Sequence, residues 1–360
     1  MKHFSPKIIT WYNQNKRDLP WRNTKDAYLI WLSEIILQQT RVDQGMAYYL
    51  KFAEHFPKVK DLAKADNDKV MKLWQGLGYY SRARNLHTTA KAIHTIYKGK
   101  FPDSYEDILS LKGVGDYTAA AIASFAFNKP HAVVDGNVYR VLSRVFGIET
   151  PIDSSLGKKE FYKLANELID KKNPGLHNQA LMEFGALQCK PANPDCSVCP
   201  LNTICYAFAK KVVADLPIKE KKTKVRNRYF NYMVFRYKGN IAIHKRTAKD
   251  IWINLHDFPL IETTKELSEE QLIKSPEWKK MLGKTKYSIK AISNPYKHIL
   301  SHQKIYARFI EIDCKESLKS FLPKDLLIIK EIEIQNFAVP RLVDLYLNPN
   351  PSPKERGNAS

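Results

Sequence analysis

The fold of the N-terminal half is decided by the stretch Leu111-Lys112-Gly113-Val114-Gly115-Asp116-Tyr117-Thr118-Ala119-Ala120. It predicts a tight glycine turn followed by a helix of small residues. Glycines in this spacing let the backbone approach a ligand closely, and the N–H groups at a helix start favour an anion. An ordinary turn between two helices has the same pattern. The helical segment before Gly113 and the small residues after Tyr117 favour the anion-binding hairpin.

The charge balance of the chain suggests what that anion is. Lysine and arginine number 58 against 37 aspartates and glutamates, which gives a formal net charge of +21 over 360 residues. Such an excess suits a polyanionic partner, of which nucleic acid is the commonest. A solvated basic surface would have the same composition, so charge alone does not decide. The Gly113 segment resembles a helix-hairpin-helix, and this resemblance implies a protein that holds DNA phosphates without reading bases.

The organisation along the chain predicts two domains, as its length suggests. Residues 1–215 show helical periodicity almost throughout. Residues 216–228 are strongly basic and predict an exposed linker. Residues 229–347 combine strand-like and helical segments and predict an α+β domain. The proline-rich residues 348–360 predict a disordered tail.

We find no membrane or secretion signal in the sequence. The segment Met1–Lys7 has no apolar signal region. The longest apolar stretch, 119–127, is interrupted by Ser124 and is too short to cross a bilayer. We therefore expect a cytoplasmic protein in a reducing compartment, without a membrane partner.

Four of the five cysteines are spaced as Cys189-x6-Cys196-x2-Cys199-x5-Cys205, and the fifth is Cys314. Thiols this close cannot all pair as disulfides without strain, and a disulfide knot is untypical of a long chain without a secretion signal. Four thiolates suit either a tetrahedral zinc ion or an iron–sulfur cluster. Zinc sites usually contain two close pairs, and here only Cys196 and Cys199 form one. The chemistry alone leaves both metals open.

The apolar segment Tyr28–Thr40 contains one acid, Glu34, which is a candidate for burial. Glu34 and Gln38 share one face of this helix at i, i+4, and apolar side chains surround them. A poorly solvated carboxyl group has a raised pKa, as a general acid needs. The alternative is a narrow solvent-facing stripe on an ordinary helix, and the pattern alone slightly favours that alternative.

Asp135 stands where an apolar run meets a helix start, within Ala132–Leu142. Aspartate is a favoured N-cap, so a structural role is a strong alternative. The two roles are compatible, because N–H groups at a helix start keep a carboxylate ionised and lower its pKa. An anionic Asp135 would stabilise a cationic sugar. One raised and one lowered carboxyl pKa is the division of labour used in glycoside cleavage.

These segments together resemble the MutY family of adenine-DNA glycosylases, within the endonuclease III-like helix-hairpin-helix superfamily. The likeness covers residues 1 to about 210. It rests on the cysteine spacing, the Gly-Val-Gly turn and the segments Leu19–Arg22, Trp31–Thr40, Trp74–Leu86 and Val134–Val141. The resemblance implies an all-α, two-lobed glycosylase domain with a six-helix barrel and a cluster lobe. It also implies a [4Fe–4S] cluster on the four close cysteines, and a target adenine that is flipped into a pocket.

The resemblance implies a role for each matching residue. Glu34 would protonate N7 of adenine and later assist the attack of water, while Asp135 stabilises the oxocarbenium sugar. Tyr117 and Asn137 would support this chemistry. The adenine pocket would be lined by Leu19, Trp21, Arg22 and Gln179. Gln39 and Tyr79 would wedge into the base stack, and further DNA contacts would come from Gln38, Thr40, Gly76, Gly78, Arg84, Gly113 and Gly115.

Tyr117 separates two branches of the superfamily. The endonuclease III branch has a lysine there, which forms a Schiff base and cleaves the backbone. Tyr117 therefore implies a monofunctional glycosylase, although Lys112 replaces the usual proline before the turn and brings an amine nearby. A bifunctional lyase acting on oxidised pyrimidines is the alternative enzyme. A cluster-containing DNA-binding protein without catalysis is the alternative of another class.

The second domain resembles, less closely, the Nudix-like domain of the same family. The matching segments are Lys245-Arg246, Ile251-Trp252 and Phe258-Pro259. Residues Tyr296–His302 resemble the loop that reads 8-oxoguanine. Ser301 would hydrogen-bond the lesion beside His302, and Leu300 replaces the usual phenylalanine.

The same likeness defines the expected substrate. An acidic Nudix box is missing between residues 240 and 300 of the sequence, so nucleotide hydrolysis is not expected. The implied partner is double-stranded DNA with adenine opposite 8-oxoguanine, bound by a monomer.

Overall fold

The computed structural model describes residues 4–220 and 225–349, which form two compact units. The first unit takes its residues from 1–64 and 85–222, and the second from 65–84 and 223–360. The sequence had predicted one boundary near the basic linker. The grouping of residues 65–84 with the C-terminal unit was not predicted. Most of the predicted disordered tail, from residue 350 on, lies outside the described residues.

Residues 4–220 form helices joined by turns, and no strand occurs in that range. The helices are α1 (Phe4–Asn15), α2 (Ala27–Leu37), α3 (Val42–His55), α4 (Val59–Lys64), α5 (Asn67–Trp74), α6 (Ser81–Thr95), α7 (Tyr105–Ser110), α8 (Asp116–Phe127), α9 (Gly136–Phe146), α10 (Ser155–Leu168), α11 (Pro174–Leu187) and α12 (Tyr206–Ala209). None of the described helices is both long and apolar enough to cross a membrane.

Local sequence explains where the helices that carry the site begin. The Asp26 side chain accepts a hydrogen bond from the Tyr28 amide at the start of α2.

The core of the first unit joins α1 to α9, α10 and α11 through side chains such as Phe4, Phe161 and Phe184. The cysteine loop packs against this core. The N-terminal segment and the region after residue 134 thus share one hydrophobic core.

The described part of the second unit contains a mixed eight-stranded sheet together with helices. Its strands are β1 (Arg226–Tyr237), β2 (Asn240–Lys245), β3 (His256–Asp257), β4 (Leu260–Thr263), β5 (Tyr287–Ile292), β6 (Tyr296–Leu300), β7 (Gln303–Cys314) and β8 (Leu327–Lys330). β1 and β7 pair in parallel at the centre, and the other pairs are antiparallel. The helices are α13 (Glu269–Ile273), α14 (Pro276–Leu282), α15 (Leu318–Phe321) and α16 (Arg341–Leu347).

The basic segment 216–228 is not an exposed linker over its whole length. β1 begins at Arg226, and Arg228 is only 5% exposed. The Arg228 guanidinium pairs with Asp250 at 2.7 Å and with Glu262 at 2.6 Å. Buried charge is stable only when paired, and these partners supply the pairing. Residues 221–224 lie outside the described residues.

Segment 65–84 belongs to the second unit through polar contacts along its length. Asp68 on α5 pairs with Lys245 at 2.8 Å. The Lys72 Nζ donates to the Phe337 carbonyl at 3.0 Å. The structure therefore combines α5 and the loop after it with the sheet.

Candidate active site

Nine of the predicted site residues line a single cavity of the first unit. They are Leu19, Trp21, Arg22, Glu34, Thr40, Tyr117, Asp135, Asn137 and Gln179. The cavity contains about 810 Å³ of empty space, counting its open mouth. The fold thus brings together residues that are far apart in the sequence and leaves room for a small molecule or a base.

Glu34, on α2, is 8% exposed, and its Oε2 accepts a hydrogen bond of 2.8 Å from the Tyr117 hydroxyl. Burial is the main cause that raises the pKa of Glu34 to about 7. The Tyr117 hydrogen bond opposes this rise in pKa, Asp135 adds to it, and Arg22 opposes it. The alternative of a solvent-facing stripe is excluded, and Glu34 can hold a proton near neutral pH.

The pKa of Asp135 is raised, and the prediction that it is lowered was wrong. Burial is the largest cause. Hydrogen bonds from the Val138 N–H and the Asn137 side-chain amide, both 2.8 Å, oppose the rise. The helix start therefore acts in the predicted direction, but burial in the cavity outweighs it. The two carboxyl groups differ in their donors: N–H groups at Asp135 and a phenol at Glu34.

A chain of hydrogen bonds joins Asp135 to the cysteine loop. The Asn137 amide donates to Asp135, and its Oδ1 accepts from Arg140 at 2.8 Å. Arg140 also donates to the carbonyls of Cys189 and Gly185, each at 2.7 Å. The position of the Asp135 carboxylate thus depends on a loop that lies outside the cavity.

A second cavity is lined by the four close cysteines and by Arg144. These cysteines are Cys189, Cys196, Cys199 and Cys205. All four are free thiols. Burial raises the pKa of Cys199 to about 11 and also raises the pKa of Cys196 and of Cys205. In the described part of the chain, no group of His, Cys, Asp or Glu side chains is gathered as a single metal ion would require.

Gln38 and Gln39 leave the α2 helix at its end. Gln38 is the C-cap, and its Nε2 donates to the Thr118 hydroxyl at 3.1 Å. Gln39 is exposed and has a φ of 54°. Because α2 ends at Leu37, Gln38 does not continue the helix face of Glu34 that the i, i+4 spacing had predicted.

The glycine hairpin requires glycine at its first position. Gly113 has a φ of +81°, and a Cβ there would lie 2.7 Å from the Cβ of Asn85. Gly115 is the N-cap of α8 and supplies no side-chain hydrogen bond. The N–H groups at the start of α8 are therefore not capped by that residue, which suits an anion.

In the second unit, the hydroxyl groups of Tyr79 and Ser301 lie 2.8 Å apart, within hydrogen-bonding distance. Tyr79 is 49% exposed and has a φ of 46°. The guanidinium of Arg82 lies over its ring at 5.7 Å. Two residues predicted to touch DNA separately thus meet in one exposed pair.

The other predicted residues of this unit have simpler settings. Gly76 and Gly78 have positive φ angles of 94° and 78°, which shape the loop that carries Tyr79. Arg84 donates to the Ile253 carbonyl at 3.0 Å. His302 is exposed. These residues are not brought into the cavity of Glu34.

The sequence analysis missed two charged residues of the cavity. Arg17 and Glu183 line it beside the predicted residues. Glu183 is 1% exposed and lies on α11, where its neighbours in the sequence are largely apolar. An acid in an apolar helix was the signal used for Glu34, and it would have found Glu183 as well.

Comparison with known proteins defines the class. A profile of the HhH-GPD superfamily of base excision DNA repair proteins matches residues 32–169, and a NUDIX domain profile matches residues 231–348. A thermostable thymine-DNA glycosylase of known structure is 33% identical and has a TM-score of 0.54 over 58% of this chain and 96% of its own. An endonuclease III–DNA complex, 21% identical with a TM-score of 0.51, shares the fold over 58% of this chain and 95% of its own. The first unit is thus a helix-hairpin-helix DNA glycosylase.

The relatives narrow this class to one family. The adenine DNA glycosylase of Buchnera aphidicola from Schizaphis graminum is 34% identical over 83% of this chain and 85% of its own length. The enzyme of Buchnera aphidicola from Baizongia pistaciae is 36% identical over 84% of each chain. The mouse enzyme is 44% identical over 58% of this chain and 42% of its own. The chain belongs to the adenine DNA glycosylase family, so it is a base-excision repair enzyme that acts on DNA and hydrolyses N-glycosyl bonds.

Proposed function

We propose that the enzyme excises adenine paired with 8-oxoguanine or guanine, with Glu34 as general acid and base and Asp135 as the stabiliser of the sugar cation. The hydrogen bond between Tyr117 and Glu34 in the wall of the cavity carries this proposal. A general acid works best with a pKa near the working pH, and the pKa of Glu34 is about 7.

The reaction needs two proton movements. Glu34 gives its proton to N7 of the flipped adenine, and the bond between C1′ and N9 breaks with its electron pair going to the base. The positive charge that develops on the sugar is stabilised by the nearby carboxylate of Asp135. Water then attacks C1′ and returns a proton to Glu34. The products are free adenine and an abasic site.

We also propose that the enzyme lacks lyase activity. A lyase needs an amine at C1′. Tyr117, whose hydroxyl bonds Glu34, occupies the position of the lysine of the lyase branch, and burial raises its pKa well above the usual range. Lys112 is an exposed amine on the hairpin. Borohydride trapping separates the two activities, because only an amine adduct is trapped.

Recognition of 8-oxoguanine would use Tyr79 and Ser301. Their shared contact of 2.8 Å supports one recognition element in which an aromatic ring stacks and a hydroxyl group bonds the lesion edge. Base–aromatic stacking contributes roughly 1–3 kcal/mol per base.

The cysteine loop would hold a [4Fe–4S] cluster. Four thiols around one cavity offer one ligand for each iron. Four thiolates also suit a single zinc ion, so iron, zinc and sulfide analysis of the purified protein distinguishes the two. The cluster would stiffen the loop that carries Cys189, while Glu34 and Asp135 excise the base. We propose that the protein works as a monomer on DNA in the bacterial cytoplasm.

The decisive test is single-turnover cleavage of duplexes that contain adenine opposite 8-oxoguanine, guanine or thymine. We expect fast excision opposite 8-oxoguanine, slower excision opposite guanine and none opposite thymine. Glu34→Gln should abolish excision while DNA affinity stays near the wild-type value. Unchanged excision in that variant would refute the assignment of Glu34.

A further inference from the structure

Glu183 is the most heavily bonded carboxylate of the cavity, although the proposed chemistry does not use it. It is 1% exposed and lies on α11. Arg17 donates to it from its backbone N–H at 3.0 Å, from Nε at 2.9 Å and from Nη2 at 2.7 Å. Arg22 donates from Nη1 at 2.9 Å and from Nη2 at 2.7 Å. These five hydrogen bonds, most of them from charged guanidinium groups, fix the Glu183 carboxylate and both arginines relative to one another.

The two arginines hold Glu183 in its anionic form. Burial alone would raise the pKa of Glu183, but the hydrogen bonds from Arg17 and Arg22 outweigh burial and lower the pKa to about 2. Glu183 is therefore charged at any pH at which the enzyme works. The group formed by Arg17, Arg22 and Glu183 has two positive charges and one negative charge, which leaves a net charge of +1.

This charge group extends to the predicted adenine pocket. The Arg22 guanidinium lies over the Tyr12 ring at 5.6 Å, and the Tyr12 hydroxyl donates to the Gln179 side chain at 3.1 Å. Glu183 thus orients Arg22, which in turn packs on the residue that holds Gln179.

We propose that Glu183 is a positioning residue that holds Arg22 in the wall of the cavity they share with Glu34 and so acts on Glu34 through Arg22. Arg22 and Glu34 line the same cavity. Arg22 favours the ionised carboxylate of Glu34, although burial, Tyr117 and Asp135 have larger effects on its pKa. Glu183 neutralises part of the positive charge of Arg22 and Arg17. Glu183 thereby favours the protonated form of Glu34, which gives its proton to adenine. It also fixes Arg22 in the pocket. The inference rests on the proposed role of Glu34 as the acid.

Several charged groups face Glu34, so the effect of Glu183 must be separated from theirs. Tyr117 on α8 donates to Glu34, and Asp135 before α9 raises its pKa. Arg22 lies in the turn after Leu19, and Glu183 acts from α11. A test that changes the net charge of the Arg17–Arg22–Glu183 group leaves Tyr117 and Asp135 untouched.

The test is the single-turnover excision rate as a function of pH for three variants. Glu34 must be protonated, so the rate falls as the pH rises through its pKa. Glu183→Gln raises the net charge of the group to +2, and we expect the fall at a pH lower by about one unit. Arg17→Gln lowers the net charge to 0 and should move the fall to higher pH. The double variant returns the charge to +1 and should restore the wild-type position.

The outcomes separate this inference from the proposed function. A wild-type rate with no fall near neutral pH, or an active Glu34→Gln variant, would refute the role of Glu34. If the wild type shows the fall but the single variants do not shift it in opposite directions, Glu183 has only a structural role. Such a role would lower the rate equally at every pH. If Glu183→Gln fails to fold, Arg17→Gln still tests the predicted direction.

Discussion

The Tyr117 hydroxyl donates a hydrogen bond of 2.8 Å to Oε2 of Glu34, and this contact couples the hairpin helix α8 to the buried helix α2. It stabilises the ionised carboxylate and so opposes the effect of burial on the pKa of Glu34. The glycine hairpin, which the sequence suggested as a phosphate-binding turn, thus also tunes the acid of the cavity.

Tyr117→Phe should therefore raise the pKa of Glu34 above its value of about 7. The alkaline fall of the single-turnover rate would move to higher pH, because the protonated form of Glu34 persists further. Tyr139→Phe is the control, since Tyr139 is half-buried on α9 but does not line the cavity. A fall that stays in place or moves to lower pH would contradict the coupling.

Glu34→Gln should stabilise the fold at alkaline pH. The pKa of Glu34 rises from 4.5 to about 7 on folding, so the unfolded chain loses its proton first as the pH rises. The free energy of unfolding therefore declines between these two values and stays level above pH 7. The shift corresponds to at most about 3 kcal/mol. A glutamine does not ionise, so the variant escapes this decline.

Urea unfolding at pH 8 and at pH 4 measures the effect. We expect a gain in the free energy of unfolding at pH 8 that shrinks at pH 4. Glu160→Gln, on the exposed side of α10, should leave the free energy of unfolding nearly unchanged at both. An equal change at both pH values would mean that packing, rather than ionisation, causes it.

Ser301→Ala should reduce the preference for adenine opposite 8-oxoguanine over adenine opposite guanine. The hydroxyl group of Ser301 is the partner of Tyr79, so its loss removes a donor to the lesion and frees the ring. Loss of one hydrogen bond corresponds to about 1 kcal/mol, or roughly fivefold in the ratio of the two rates. Ser320→Ala, on exposed α15, is the matched control. An unchanged ratio would argue against this loop as the lesion reader.

Cys196→Ser should lower the iron and sulfide content of the purified protein, because one of four ligands is lost. Cys314→Ser is the control, since Cys314 is 7% exposed in the core of the second unit and does not belong to the four-cysteine loop. Absorbance in the visible range and metal analysis give the readout. If the wild-type protein contains zinc and no sulfide, the loop binds zinc rather than a cluster. The assignment of Glu34 would not change.

Local patterns predicted those parts of the fold and site that depend on neighbouring residues. The apolar surroundings of Glu34 made burial one of two interpretations, although the pattern slightly favoured a solvent-facing stripe. The expected N-cap position of Asp135 is confirmed, since its side chain accepts a hydrogen bond from the Val138 N–H. The sign of the Asp135 pKa shift was beyond such patterns, because burial depends on helices far away in the sequence. The same holds for Arg228, whose partners Asp250 and Glu262 lie 22 and 34 residues away.

Gly113→Ala should weaken DNA binding without changing the pH dependence of excision. Gly113 has a φ of +81°, which residues with a side chain rarely adopt. The new Cβ would lie 2.7 Å from the Cβ of Asn85. Strain of this kind costs on the order of 1–3 kcal/mol and would shift the turn that leads into α8. A displaced helix start holds a phosphate less well.

Gly115→Ala tests whether this effect comes from the strain at Gly113. Gly115 has a φ of −109°, and a Cβ there meets no atom within 4 Å. The unfolding temperature of Gly115→Ala should therefore stay near the wild-type value, whereas the unfolding temperature of Gly113→Ala should fall. Duplex affinity measured over a range of salt concentrations should drop for Gly113→Ala with the alkaline fall of the rate unmoved, because Glu34 keeps its partner Tyr117. If the alkaline fall of the rate shifts in Gly113→Ala, the geometry of the turn affects Glu34 through α8. The turn would then contribute to catalysis as well as to DNA binding.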